Sequence, residues 1–274
     1  MTRLADIGAS QGSVVSRRSQ VRQAVDVMVQ DGNGVVVAAN DDGTPAGVLT
    51  ETDMVRRVIA GDRHPWVTPV ESVMSEPVVT IDDGCTLDVA GRLMADRGIR
   101  HLGITREGRL AGWVTARNLI AAARIPPTRI CDAMTKLIAT IHLQETVREA
   151  ADRMLEASIG LLLVGGRRTR HRSGQWSGAG YDDLAGIVTE ADLVNRVMAV
   201  DRYPYVTSVG DVMTPRPVTV RPDDSLTVAA DLIVNRGIRH VLVADGADVV
   251  GVISIRDLLP VMADPGVSER EPNR

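Results

Sequence analysis

Short β-branched runs alternate along the chain with stretches whose apolar residues fall at helical spacing. Val78-Val79-Thr80-Ile81 reads as a strand, which Asp82-Asp83-Gly84 breaks. Leu87, Ala90, Leu93 and Met94 then share one helical face, and Gly98 stands where that helix would stop. The same face returns as Leu226, Ala229, Ala230, Ile233 and Val234, with Gly237 at the stop. Two short strands follow, Val241-Leu242-Val243 and Val249-Val250-Gly251-Val252-Ile253, joined by Asp245-Gly246-Ala247-Asp248 as a hairpin turn, and a second helix begins near Ser254. The predicted unit is β-α-β-β-α, about fifty residues long and too small to bury both helices alone, so pairing of units is expected.

The pattern belongs to a repeat. Asp62-Arg63-His64-Pro65-Trp66-Val67-Thr68 returns 139 residues later as Asp201-Arg202-Tyr203-Pro204-Tyr205-Val206-Thr207. Gly98-Ile99-Arg100-His101 returns unchanged as Gly237-Ile238-Arg239-His240. Each half divides again, because Val212-Met213-Thr214 resembles Val73-Met74-Ser75 and, more loosely, Ala133-Met134-Thr135; the first unit keeps only the end of this segment, around Ser13-Val14-Val15-Ser16. Four units follow, at about 10–60, 70–122, 128–199 and 207–262. They give two domains, 1–122 and 128–262, and a flexible tail, 263–274.

Composition narrows the function classes. The chain has 274 residues, no Phe, three Tyr, three Trp and a formal charge of -4. An aliphatic core is implied, and both the charge and the lack of stacking rings argue against a nucleic-acid binder. Cys85 and Cys131 stand far apart with no metal-ligand spacing, and the five histidines form no i, i+4 pair, so neither a disulfide framework nor a metal site is expected. No apolar run is long enough to span a bilayer, and Met1 to Gly12 lacks the apolar stretch of a signal peptide; a soluble cytoplasmic protein is predicted.

The candidate chemistry sits at the end of each unit's last strand, where Gly, two apolar residues, Thr or Ser, two variable residues and Asp or Asn recur in register. The four copies run Gly47 to Asp53, Gly112 to Asn118, Gly186 to Asp192 and Gly251 to Asp257. One reading is a helix capping box, but that box favours Glu or Gln at the third position, and here the side chains are shorter. The other reading is a ligand site. A helix N-terminus with a hydroxyl suits a phosphate, and a carboxylate one turn on can accept from both hydroxyls of a ribose.

The β-α-β-β-α order, the Asp211-Val212-Met213-Thr214 opening, the Gly-Ile-Arg-His step and the Gly-x-x-Thr-x-x-Asp ending resemble the CBS domain family, over nearly the whole chain. The resemblance implies an α/β (α+β) fold of four CBS repeats arranged as two pseudo-twofold pairs. It also implies clefts for an adenosyl ligand such as AMP, ADP, ATP, S-adenosylmethionine or NADH, with no required cofactor and no catalysis. It makes Asp53, Asp192 and Asp257 ribose acceptors and Thr50, Thr115, Thr189 and Ser254 phosphate-side donors. Asn118 departs from the pattern, and its neutral amide weakens any site built on unit two. Arg100 and His101, and Arg239 and His240, occupy the place where related adenylate-binding modules contact phosphate; units one and three carry Asn33-Gly34 and Ile159-Gly160 there instead. Two better sites are therefore expected, Thr50 and Asp53 with Arg100 and His101, and Thr189 and Asp192 with Arg239 and His240.

A regulatory protein signalling to a protein effector follows, the alternative being a ligand-independent interaction or oligomerisation scaffold. Whether the pairs close into one disc within the chain or form a homodimer is left open. Two weaker signals carry less. Gly8-Ala9-Ser10-Gln11-Gly12 matches GxSxG, yet only nine residues precede Ser10 and no strand or partner residues support a nucleophile. The arginine-rich insertion of unit three, Gly165 to Asp183, reads as a mobile hairpin loop, or else as a contact for an anionic partner or a flap over the second cleft.

Overall fold

The computed structural model describes residues 2–136, 138–165 and 184–262; the expectations for the insertion beyond Gly165 and for the tail fall outside these residues. Each unit builds one small mixed sheet, giving four sheets in an α+β fold. In unit two, Thr80–Asp82 runs parallel to His101–Arg106, which pairs antiparallel with Arg109–Thr115. Units one, three and four repeat this order with Val14–Ser16, Val35–Ala39 and Pro45–Thr50; Thr140–His142, Leu161–Gly165 and Leu184–Thr189; and Thr219–Val220, His240–Asp245 and Asp248–Ser254. A helix joins the first two strands each time: Val21–Asp31, Leu87–Arg97, Val147–Ala157 and Leu226–Arg236. Its buried stripe follows the 3.6-residue period, as in Leu226, Ala229, Ala230 and Ile233. Three of the four helices stop at a left-handed glycine, Gly32, Gly98 or Gly237, and the third stops at Ser158 in the same conformation.

The segment leading into each unit crosses to a neighbour. Ser10 bridges Trp113, Ser75 bridges Val48, Thr135 bridges Val252, and Thr214–Pro215 pairs antiparallel with Leu184–Thr189. Units one and two thus exchange leading segments, and so do units three and four. This crossing explains the glycine that opens the motif. A Cβ on Gly47 would stand 2.8 Å from the Ser75 carbonyl oxygen, and one on Gly186 would stand 2.5 Å from that of Thr214. Ser10 lies on this crossing strand, its hydroxyl donating to the Trp113 carbonyl at 3.2 Å, which is not the geometry of a nucleophile elbow. The residues before unit one also pack, with Leu4 fully buried and its N–H bonded to the Cys85 carbonyl at 2.9 Å.

Helices pack in a different combination from sheets. One core joins unit one to unit three, with Met28, Leu49 and Met54 against Met154, Leu162 and Val197; a second joins unit two to unit four, with Leu87, Met94 and Leu102 against Leu226, Ile233 and Leu258. A smaller core lies between the sheets of units three and four, where Leu161, Leu163 and Ile187 meet Leu242, Val249 and Val252. Within one chain the buried stripes of these helices are thus covered, while Val29, Val89, Leu155 and Val228 on the same helices stay exposed. The Asp-Arg-x-Pro-aromatic repeat clasps this arrangement: Trp66 Nε1 donates to Asp201 Oδ1 at 3.2 Å and, reciprocally, the Tyr205 hydroxyl donates to Asp62 Oδ1 at 2.5 Å. Arg22 and Arg148 stack over the Trp66 and Tyr205 rings, 5.4 and 5.5 Å from their centroids.

Candidate functional site

Each third strand ends on the motif hydroxyl, which caps the helix that follows. Backbone N–H and Oγ1 of Thr50 donate to Asp53 Oδ2 at 2.9 and 2.6 Å, and those of Thr189 donate to Asp192 Oδ2 at 2.9 and 2.7 Å. Thr115 bonds Asn118 Oδ1 at 2.9 and 2.7 Å, and Ser254 bonds Asp257 Oδ2 at 2.7 and 2.8 Å. The capping box is thus complete in all four units. The shorter side chains suffice because the extended cap residue presents its hydroxyl as well as its N–H to the same oxygen.

Asp53 and Asp192 do more than cap. The second oxygen of Asp53 accepts from Ser75 Oγ at 2.8 Å and that of Asp192 from Thr214 Oγ1 at 3.0 Å, both donors belonging to the crossing segments. Three acceptor positions of each buried carboxylate are used and an arginine, Arg57 or Arg196, stands 3.5 Å from the second oxygen, which leaves at most about one position of four for a ligand hydroxyl. Burial raises the Asp257 carboxyl above the usual carboxylate range, against the lowering pull of its Ser254 bonds and Arg256.

Among the described residues, four clefts lie around the centre of the molecule. Thr50, Asp53, Arg100 and His101 line a cleft of about 250 Å³ whose apolar wall includes Val48, Ile99 and Trp113. Thr189, Asp192, Arg239 and His240 line a second, of about 310 Å³, with Ile187 and Ile238. These are the two residue sets that the sequence places together. Ser254 and Asp257 line a third cleft of about 230 Å³, with Arg100, Arg239 and His240. Thr115 borders only a space of about 60 Å³, which Asn118 does not line.

The inner ends of the clefts converge on shared arginines. Arg100 borders three of the four clefts, Arg239 three, Arg256 two and Arg117 two. Strand pairing aligns His101 with Val35 and Leu161, so Arg100 corresponds to Gly34 and Gly160, one residue from the alignment the sequence suggested. Where units two and four place arginine, units one and three place glycine followed, in the motif, by Glu51 and Glu190. The ion pairs run across the centre: Arg239 holds Glu51, and Arg100 Nη2 lies 3.4 Å from Glu190 Oε2, which also accepts from Thr52 Oγ1 at 3.0 Å. Glu51, Glu190, Arg56, Arg117 and Arg256 were not singled out from the sequence; the alternation of Thr-Glu-x-Asp with x-Arg in the motif was the available signal.

The electrostatics of this hub are unbalanced. Among the described residues, Nε of Arg56, Arg117 and Arg256 is buried without a hydrogen-bond partner, a costly condition for a cation. Burial, then the repulsion of Arg239, lowers Arg100 to about 10, with Glu190 opposing the fall, so it stays cationic at neutral pH. Burial also lowers Arg117 and Arg256. His101 and His240 are pressed to about 3, by burial first and then by Arg100 and Arg239 respectively, and are neutral at pH 7. The one N–H of neutral His101 is directed to the Asn33 carbonyl, 3.3 Å from Nε2, so the arginines supply both the charge and the donors for an anion.

Crossed leading segments, repeated Thr–Asp caps and clefts between sheets define a CBS-type assembly, and sequence comparison agrees: a model of the CBS domain matches residues 13–60, 70–125 and 209–264, and the chain belongs to this family. Among particular proteins, it is similar to an uncharacterised protein of Methanopyrus kandleri, 35% identical over 34% of this chain and 48% of that one. The meiotically up-regulated gene 70 protein of Schizosaccharomyces pombe is 24% identical over 94% of this chain and 43% of its own length. The chain thus spans about half or less of both curated relatives. Its fold is shared with a Methanocaldococcus jannaschii protein described as a candidate archaeal homologue of γ-AMPK, with a TM-score of 0.74, 18% identity and coverage of 94% of this chain and 99% of that one. No helix among the described residues is long and apolar enough to cross a membrane.

Proposed function

We propose that the chain is a regulatory protein of two tandem CBS pairs, residues 1–122 and 128–262, that binds an adenine nucleotide or related adenosyl ligand between its repeats. Three clefts are open to the ligand, those built on Thr50 and Asp53, on Thr189 and Asp192, and on Ser254 and Asp257. In each, the aspartate meets the ribose, apolar strand residues hold the adenine, and the phosphate points inward. The observation that carries this reading is the convergence of the three clefts on Arg100, Arg239 and Arg256, whose charge is only partly matched by Glu51 and Glu190. Buried guanidinium groups short of partners favour an anion at that point. The chain is read as non-catalytic and cytoplasmic, and it reports occupancy to a separate protein effector. Such a report requires the ligand to favour one packing of the pairs over another.

A second reading, a ligand-independent scaffold, draws on the four capping boxes, which are complete without any ligand. A thermal-shift panel of AMP, ADP, ATP, S-adenosylmethionine and NADH separates the two. A ligand at a hundred times its dissociation constant stabilises the fold by about 2.7 kcal/mol. Stabilisation by at least one of the five supports the nucleotide reading, and indifference to all of them supports the scaffold.

A further inference from the structure

We propose that Glu51 and Glu190 are resident anions of the hub that set the charge a ligand can bring, favouring one phosphate over a polyphosphate tail. The identity of the ligand rests on the nucleotide reading above, whereas the charge preference rests on the hub itself. Arg56, Arg100, Arg117, Arg239 and Arg256 bring five positive charges to the hub and Glu51 and Glu190 two negative ones, leaving a surplus of three. One phosphate monoester, with a charge approaching -2 at neutral pH, stays within that surplus, so the hub takes one phosphate at a time. A triphosphate exceeds it and meets a carboxylate at close range in a weakly screened site.

The placement is built in. Glu51 lines the Thr189–Asp192 cleft beside Arg239, where the inner end of a ligand would arrive, whereas Glu190 lines none of the four clefts and acts on a ligand through the Arg100 that it holds. Glu51 and Glu190 are 5% and 3% exposed, so solvent does little to damp their repulsion of an incoming anion. Room for them comes from Gly34 and Gly160. A Cβ at Gly34 would stand 3.0 Å from the Glu51 carboxyl carbon, and one at Gly160 would stand 3.2 Å from that of Glu190. Arginine stands at these positions in units two and four, and there the motif residue is Ala116 or Ile255 in place of glutamate. Glycine with glutamate and arginine with an apolar residue are therefore two matched solutions at one backbone position.

Calorimetric titration of the full chain and of Glu51→Gln and Glu190→Gln with AMP, ATP and inorganic pyrophosphate tests this. In the unaltered protein AMP binds more tightly than ATP. In the variants, affinity for ATP and pyrophosphate rises by about tenfold or more while that for AMP changes by less than about threefold. An unchanged ratio of ATP to AMP affinity, or pyrophosphate binding that neither substitution moves, overturns the proposal. Pyrophosphate binding strengthened by the substitutions, with AMP and ATP ignored by all three proteins, upholds the charge preference and removes the nucleotide reading. Should a variant be recovered unfolded, refolding on addition of pyrophosphate supports a replaceable resident anion, and no refolding contradicts it.

Discussion

Units one and three, set beside units two and four, show one backbone carrying two opposite chemistries. All four have the same strand order, an eleven-residue helix between the first two strands and the same closed cap at the motif. At the position before the second strand, however, units two and four carry Arg100 and Arg239, and units one and three carry Gly34 and Gly160. Sheets pair one with two and three with four, helices pair one with three and two with four, and the ion pairs follow neither, joining four to one and two to three. Duplication supplied a symmetric frame, and a few substitutions at equivalent sites gave it a charged centre.

The comparison breaks most severely where arginine is removed. Arg239→Ala strands Glu51, and Arg100→Ala strands Glu190, each a buried carboxylate left without its cation. A loss of about 3–5 kcal/mol per substitution is expected in urea or guanidinium unfolding, with nucleotide binding abolished. Next in size, Asp53→Ala with Asp192→Ala removes two caps at about 1 kcal/mol each and weakens AMP binding by at least about tenfold, read by calorimetry. Asn118→Ala, beside the smallest cleft, leaves the number of bound ligands unchanged. A smaller effect follows from Gly34→Ala, because Gly34 has φ +69° and faces the Glu51 carboxylate; about 1–2 kcal/mol is expected in thermal unfolding, and less for Gly160→Ala, which has no positive φ to lose.

An effect of similar size is set by pH and concerns His101 and His240 of units two and four. Unfolded, His101 and His240 take up protons near their ordinary value of 6.5; folded, they resist down to about 3. Between those values the unfolded state binds more protons, so stability falls as pH falls. Lowering the pH from 7.5 to 5.5 costs about 1 kcal/mol per histidine, and the paired substitution His101→Gln with His240→Gln flattens that slope in urea titrations at each pH.

The repeat, the unit boundaries and the element order were legible because local periodicity writes them: Leu87, Ala90 and Met94 predict a helical face, and Val241-Leu242-Val243 predicts a strand. The grouping of Thr50 with Arg100, and of Thr189 with Arg239, was legible because motif and Arg-His step recur in register. Other features depend on contacts that leave no local period. Glu51 meets Arg239 across 188 residues of chain and Glu190 meets Arg100 across 90, so no window of sequence holds both partners. Ser75 bonds Asp53 only because the segment into unit two crosses onto unit one, a path that the glycine of the motif permits but does not announce. Leu4 and Ile7, two apolar residues in a short stretch outside the repeat, gave no sign that the segment before unit one packs against unit two.

The most direct test of the division between the two kinds of unit is a crystal structure of the protein with AMP. One ribose hydroxyl on Asp53 or Asp192, adenine against the apolar strand residues, and the phosphate within hydrogen-bonding distance of Arg100 or Arg239 are expected. AMP bound away from the clefts, or seated in one with its phosphate turned out to solvent and these arginines still paired only with Glu190 and Glu51, would contradict it.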